Sequence, residues 1–213
     1  MPIVVGLSLY DLLEGDGSVR PGPAEGRVAA ESATPTVDAP VPTGSVGAGT
    51  GATVGTWRGR DHARPGGLGV AVVAHGILTV AVVVAVNAAG DIGDPATSTA
   101  VADGVFRGWP DSGDLFTAPP VAGAEAGSRG NTTIGAVVTD ADLTKGECLL
   151  LAQSAHDGLA RAVFPPHMRS DGDAFVAAAT GTVPRGNGDG GADLDVLRVL
   201  TVAAVEQAVV RAC

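Results

Sequence analysis

Between Arg64 and Asp91 the chain carries no Asp, Glu, Lys or Arg, and from Leu68 to Ala89 it is almost continuously apolar. That length meets the ~18 to 20 residues required of a membrane helix. The stretch is nonetheless rich in Val, is broken at its midpoint by the turn-forming pair His75-Gly76, and carries the polar Asn87 near its end. It divides into two runs of strand length, and continuous apolar runs of that length mark strands covered on both faces. The pattern therefore predicts a buried hairpin and no membrane span.

Downstream the periodicity changes. A β-branched run from Thr132 to Thr139 predicts a strand. Thr144-Lys145-Gly146-Glu147 forms a capping box, after which Cys148, Leu151, Ala152, Ala155, Leu159 and Ala162 recur at helical spacing until Pro165-Pro166. A small-residue strand follows over Ala174 to Thr180, and Leu194 to Val210 closes the chain as a helix with Leu197, Leu200, Thr201, Ala204 and Ala208 along one face. Upstream, Ile3 to Leu13 is apolar, but it lacks a basic leader, holds Asp11 and has no small-residue cleavage pattern. It reads as a buried strand and not as a signal peptide. Glu14 to Thr56 is rich in Gly, Pro, Ser and Thr and predicts loops with a short helix near Ala24 to Ser32. Gly90 to Arg129 predicts a long surface loop.

Composition narrows the class. With 213 residues, 45% of them hydrophobic, the chain is expected to form one domain spanning 1–213 around a single core. Only 3% of residues are aromatic, so that core is built from small side chains packed closely. A net charge of −10, from 13 Lys and Arg against 23 Asp and Glu, argues against nucleic acid and anionic lipid as partners. Cys148, expected to be buried, and Cys213 show neither metal spacing nor a disulfide framework, which suits a reducing cytoplasm.

Two motifs invite readings that their surroundings do not support. Gly47-Ala48-Gly49-Thr50-Gly51-Ala52 matches a dinucleotide fingerprint in form, but Pro40 and Pro42 spoil the preceding strand and no acidic residue stands about 20 positions on. It reads as a Gly-rich turn shaping the floor of a site. Gly186 to Gly191 resembles a calcium loop but lacks regular acidic ligands and a terminal Glu, and reads as a flexible turn. His156 and Asp157, neighbours on the predicted helix, do not face the same way; His156 reads as structural or solvent-facing, with site-lining the lesser alternative.

The chemistry concentrates at Asn131-Thr132. A hydroxyl residue at the start of a strand suits an N-terminal nucleophile, because cleavage before it frees an α-amine beside its own Oγ that serves as base. The segment Asn131-Thr132-Thr133-Ile134-Gly135-Ala136-Val137-Val138-Thr139-Asp140-Ala141 resembles the self-processing segment of the L-aminopeptidase/D-esterase family, which includes β-peptidyl aminopeptidases and nylon-oligomer hydrolases. Three further stretches resemble the same family in the same order: Gly44 to Gly55, Val84 to Asp91, and Ala155 to Ala162, the last running on to Asp171-Gly172-Asp173.

The resemblance implies that Thr132 is the nucleophile, that Asn87 donates from its side-chain amide near the reacting carbonyl, and that Asp171 and Asp173 orient the nucleophile. It implies autocleavage between Asn131 and Thr132 into an α-chain 1–131 and a β-chain 132–213. Without metal or organic cofactor, the mature enzyme would then hydrolyse short peptide amides or esters. The fold implied is a layered αββα sandwich of the self-processing, ornithine acetyltransferase-like type, assembled into homo-oligomers. Relatives carry an N-terminal segment before the stretch matching Pro2 to Val5, so the chain reads as an N-terminally truncated member. Relatives also place a Lys or Tyr where this chain reads Thr56-Trp57-Arg58-Gly59, and Arg58 is not assigned that role. Two alternatives stay open: an inactive, uncleaved member acting as an interaction subunit, and an ornithine-acetyltransferase-like acyltransferase.

Overall fold

The computed structural model describes residues 4–33, 40–109, 130–186 and 191–213. In chain order its elements are α1 (Pro23–Ser32), β1 (Thr53–Val54), β2 (Arg64–Pro65), β3 (Gly67–His75), β4 (Leu78–Asn87), β5 (Asp91–Ile92), α2 (Pro95–Ala102), β6 (Thr132–Ala141), α3 (Lys145–Ala162), β7 (Val163–Phe164), β8 (Ala174–Val183) and α4 (Leu194–Arg211). The predicted hairpin is β3 and β4, turning at Gly76, whose φ of 59° suits a residue without Cβ.

The main sheet runs β3-β4-β6-β8, antiparallel across its first two junctions and parallel between β6 and β8. Helices α3 and α4 pack on each other and against one face of this sheet. Alternate residues of β4, namely Leu78, Val80, Val82, Val84 and Val86, meet Leu151, Leu159, Leu197, Val205 and Val209 of the helices in the core. Small residues set the spacing: a Cβ added to Gly69 on β3 would lie 1.9 Å from the Ala208 carbonyl oxygen of α4, so that helix rests on bare strand backbone. A Cβ on Gly158 of α3 would come within 2.6 Å of the Val202 carbonyl oxygen, which fixes how closely the two helices cross.

Four expectations are corrected. The hairpin is covered on both faces only toward Ala85 to Asn87; elsewhere its second face is open, with Val72 60% and Val83 44% exposed, because the two core helices cover one side. Residues 4–13 form no strand, and Val4 is 84% exposed; an apolar run without a pairing partner has no ladder to join. The stretch expected to be one long loop contains α2, capped by the Asp94 side chain on the Ala96 and Thr97 N–H groups and opened by Pro95. Cys148 is half-buried and not fully buried, because it lies on the flank of α3; like Cys213 it is a free thiol. Within two other expected turns, residues 110–129, which include Ser128 and Arg129, and residues 187–190 lie outside the described residues.

Candidate active site

Sheet register assembles the site. Antiparallel pairing sets the last residue of β4, Asn87, opposite the first of β6, Thr132. Parallel pairing of β6 with β8, extended by a bridge between Asn131 and Asp171, sets the Asp171-Gly172-Asp173 segment beside Asn131-Thr132-Thr133. The four side chains expected from sequence, Asn87, Thr132, Asp171 and Asp173, thus converge at one end of the sheet although up to 86 positions separate them in the chain. Asn87, Thr132 and Asp171 are 1%, 7% and 8% exposed, so the cluster is largely shielded from water.

The carbonyl joining Asn131 to Thr132 is held from two directions. The Thr132 Oγ–H donates to the Asn131 oxygen at 2.5 Å, and the Gly172 N–H donates to the same oxygen at 3.0 Å. Gly172 leaves no room for a side chain there, since a Cβ would stand 2.9 Å from Thr132 Oγ. The Asn131 side chain is anchored separately, its Oδ1 accepting from Thr56 Oγ at 2.9 Å. Asn87 lies one peptide upstream: its Nδ2 donates to the Tyr10 carbonyl at 3.0 Å and to the Gly130 carbonyl at 3.4 Å, while its Oδ1 accepts the Thr53 N–H at 2.9 Å. The Gly-rich segment of residues 47–52 leads directly into that contact, in keeping with a turn shaping the floor of the site.

The two carboxylates grip main chain. Asp173 Oδ1 accepts the Thr133 N–H at 2.8 Å, and its Oδ2 lies 2.8 Å from His167 Nδ1. Asp171 accepts the Ala89 N–H at 3.0 Å and the Met168 N–H at 2.9 Å. Burial pushes the Asp171 carboxyl up to about 6; the charge of Asp173 adds to the rise, and the Ala89 and Met168 N–H groups with His167 oppose it. The Thr133 hydroxyl, on the opposite face of the strand from Thr132, is buried and finds no partner among the described residues.

Three contributors were not singled out from sequence. Gly172 sits inside the Asp-Gly-Asp motif, where the flanking carboxylates draw attention first. Thr56 occupies the place where a Lys or Tyr is expected, and it reaches Asn131 as a neutral hydroxyl. His167 belongs to no motif; its one local signal is its place directly after Pro165-Pro166. Arg58 is engaged elsewhere, its guanidinium 3.1 Å from the buried Asp91, which also accepts from Trp57 Nε1 at 2.8 Å and Arg64 at 2.8 Å. His156 stands behind the site, its ring 5.0 Å from that of His167. Among the described residues no group of three or more His, Cys, Asp or Glu is arranged to hold a metal ion, and no helix is long and apolar enough to cross a membrane.

Comparison with known proteins converges on one group. The model of peptidase family S58 matches residues 2–213. An uncharacterized aminopeptidase of Mycobacterium leprae is 38% identical over 200 residues, covering 86% of this chain and 51% of its own. A 6-aminohexanoate-oligomer endohydrolase of Kocuria sp. is 32% identical over 183 residues, covering 81% and 48%. Among solved structures, a Burkholderia sp. beta-aminopeptidase superposes with a TM-score of 0.52 at 30% identity, over 81% of this chain and 46% of that one. The L-aminopeptidase D-Ala-esterase/amidase of Ochrobactrum anthropi, a variant of the Ntn hydrolase fold, gives 0.58 at 23% identity, over 89% and 48%. The fold is that of these aminopeptidases, and the described residues hold the four-stranded sheet with its helical layer beside two small two-stranded sheets. The chain spans about half the length of the curated relatives it matches.

Proposed function

The chain belongs to peptidase family S58, and on that premise we propose that it is a self-processing aminopeptidase that cuts itself between Asn131 and Thr132 and then uses Thr132 as an N-terminal nucleophile. The observation that carries this reading is the Asn131 carbonyl oxygen, shared between the Thr132 hydroxyl at 2.5 Å and the Gly172 N–H at 3.0 Å. A hydroxyl already packed against the carbonyl it must attack is close to a reactive arrangement. A main-chain N–H on the same oxygen is placed to hold negative charge as it develops there.

In processing, Thr132 Oγ adds to the Asn131 carbonyl carbon and the oxyanion rests on the Gly172 N–H. The carbon–nitrogen bond then breaks, the hydroxyl proton ends on the departing Thr132 nitrogen, and the Asn131 acyl group is left as an ester on Oγ. That break frees the Thr132 α-amine, and water then hydrolyses the ester to the Asn131 carboxylate and the Thr132 hydroxyl. In the mature protein the amine takes the proton from Oγ as Thr132 attacks a short peptide amide or ester with a free N-terminus, and returns it to the leaving amine or alcohol. Asn87 Nδ2 is the donor proposed for the substrate's oxyanion, with Asp171 and Asp173 holding the main chain on either side.

The test is the intact mass of the purified chain through a day at neutral pH, with N-terminal sequencing of any fragment. Fragments 1–131 and 132–213, the second beginning Thr-Thr-Ile-Gly, are expected from the native sequence and none from Thr132→Ala. Continued cleavage at Asn131 in that variant would falsify the mechanism, and one intact mass for the native chain would favour an uncleaved interaction subunit. The same reading has cleaved units assembling as homo-oligomers in a reducing, cytoplasmic setting. A concentration-independent monomer by light scattering would remove the oligomer.

A further inference from the structure

His167 is the one residue other than glycine with positive φ among the described residues, at 52°. A left-handed conformation is unfavourable for a residue with a Cβ, and it is retained where the surroundings over-determine it. The surroundings here are specific. Its Nδ1 faces Asp173 Oδ2 at 2.8 Å, and an ionised carboxylate only accepts, so the ring donates from Nδ1. Its other side meets the His156 ring of α3 at 5.0 Å, and His156 in turn stands edge-on to Phe175 of β8, also at 5.0 Å. Phe175 lies over Gly135, where a Cβ would come within 2.4 Å of its ring. A column of rings thus links β6, β8 and α3 to the one carboxylate oxygen that Thr133 does not use.

Asp173 spends its two oxygens on two donors, the Thr133 N–H and His167 Nδ1. The Thr133 N–H belongs to the residue that follows the nucleophile, so its direction constrains the peptide plane and main chain that carry the Thr132 side chain one residue earlier. We propose that His167 is a positioning residue for this reaction: by occupying Asp173 Oδ2 it aims Asp173 Oδ1 at the Thr133 N–H, and so fixes the main chain from which Thr132 attacks. The titratable groups that face it are Asp173, His156 and, at longer range, Asp171; Asp157 acts on His156. His156 is held toward its neutral form by burial and by His167, so it supplies a ring and no competing charge. This proposal rests on Thr132 being the nucleophile, and its test separates the two.

Amide hydrogen exchange at Thr133, measured on the full chain carrying Thr132→Ala so that cleavage plays no part, reads the positioning directly. Adding His167→Ala is expected to speed Thr133 exchange by about tenfold or more while Val137 and Val138 of the same strand stay as they were. Adding His167→Asn, whose amide nitrogen stands where Nδ1 stood, restores protection. Unchanged Thr133 protection in His167→Ala overturns the proposal whether or not the native chain cleaves itself. With Thr132 present, His167→Ala should slow processing about 10- to 100-fold, the order expected for a sub-ångström misplacement, with His167→Asn recovering most of the rate. The loss should vanish when Asp173→Asn is already in place, since coupled residues are not additive; an equal loss in both backgrounds also overturns the proposal. A native chain that never cleaves itself defeats the nucleophile assignment instead, and the exchange arm still decides for or against His167.

Discussion

Replacing Gly172 with Ala tests the geometry of the proposed self-cleavage with one methyl group. The new Cβ would stand 2.9 Å from Thr132 Oγ, where ordinary contact begins at 3.4 Å, so something must yield by about 0.5 Å. If the hydroxyl yields, it leaves its 2.5 Å approach to the Asn131 carbonyl; if residue 172 yields, its 3.0 Å hydrogen bond stretches toward 3.5 Å and weakens. Full loss of an oxyanion donor costs about 10²- to 10³-fold in rate, and a 1 Å misplacement about 10²-fold. A half-ångström shift divided between the two should slow processing roughly 10- to 100-fold. Stability should change little, within about 1 kcal/mol. Gly172 is not among the glycines of positive φ, so Ala adds no backbone strain and narrows the unfolded ensemble, offsetting part of the crowding. The assay is the fraction of intact chain by mass spectrometry against time, paired with a urea melt of each protein. A folded Gly172→Ala chain that processes at the native rate would show that this N–H and this hydroxyl are neighbours without a role.

The remaining predictions concern stability. Gly69→Ala places a Cβ 1.9 Å from the Ala208 carbonyl oxygen, a main-chain atom that cannot swing aside, so α4 must lift from β3; a loss of about 3 kcal/mol in chemical denaturation is expected, and a native-like midpoint would mean the helix is not seated as described. Asp171 holds its proton up to about 6 when folded, against 3.8 when free. The stability this gives is complete below pH 4 and is lost as pH rises through 6, so this group alone makes the protein more stable at pH 5 than at pH 7.5 by on the order of 1 kcal/mol. Asp171→Asn should flatten that slope; an unaltered slope in the variant would assign the dependence to other groups.

The fold was legible where a single element carries its own signal. The uncharged stretch from Leu68 to Ala89 names a hairpin because His75-Gly76 breaks it and Val fills both halves. The capping box at Thr144 and Glu147 announces α3 before any packing is considered. Where the outcome depends on a partner, local pattern fails: Val4 and Val5 are as apolar as core residues but pair with no strand among the described residues, and α2 has an Asp94-Pro95 start without an apolar stripe to advertise it. The site divides in the same way. Asn87, Thr132, Asp171 and Asp173 were named through resemblance, and their convergence follows from two strand registers that periodicity cannot supply. Gly172 and His167 join the site through a main-chain N–H and a single contact to Asp173, neither of which leaves a mark in residue spacing.

The proposed self-cleavage also has to account for where the proton goes. The α-amine invoked as the base of the mature enzyme does not exist before cleavage, since the Thr132 nitrogen is still an amide and does not accept a proton. No side-chain base touches Thr132 Oγ among the described contacts; its partner is the oxygen of the carbonyl whose carbon it would attack. The proposed self-cleavage would therefore proceed by transfer within the tetrahedral centre, from the attacking oxygen to the nitrogen that leaves, and the product of that transfer would be the amine later used as base. Such a step gains little from a strong neighbouring base and much from holding Oγ, the Asn131 carbonyl and the Gly172 N–H in one fixed arrangement. Under the proposed mechanism that requirement would suit two carboxylates that hold main-chain N–H groups, with none on the nucleophile itself.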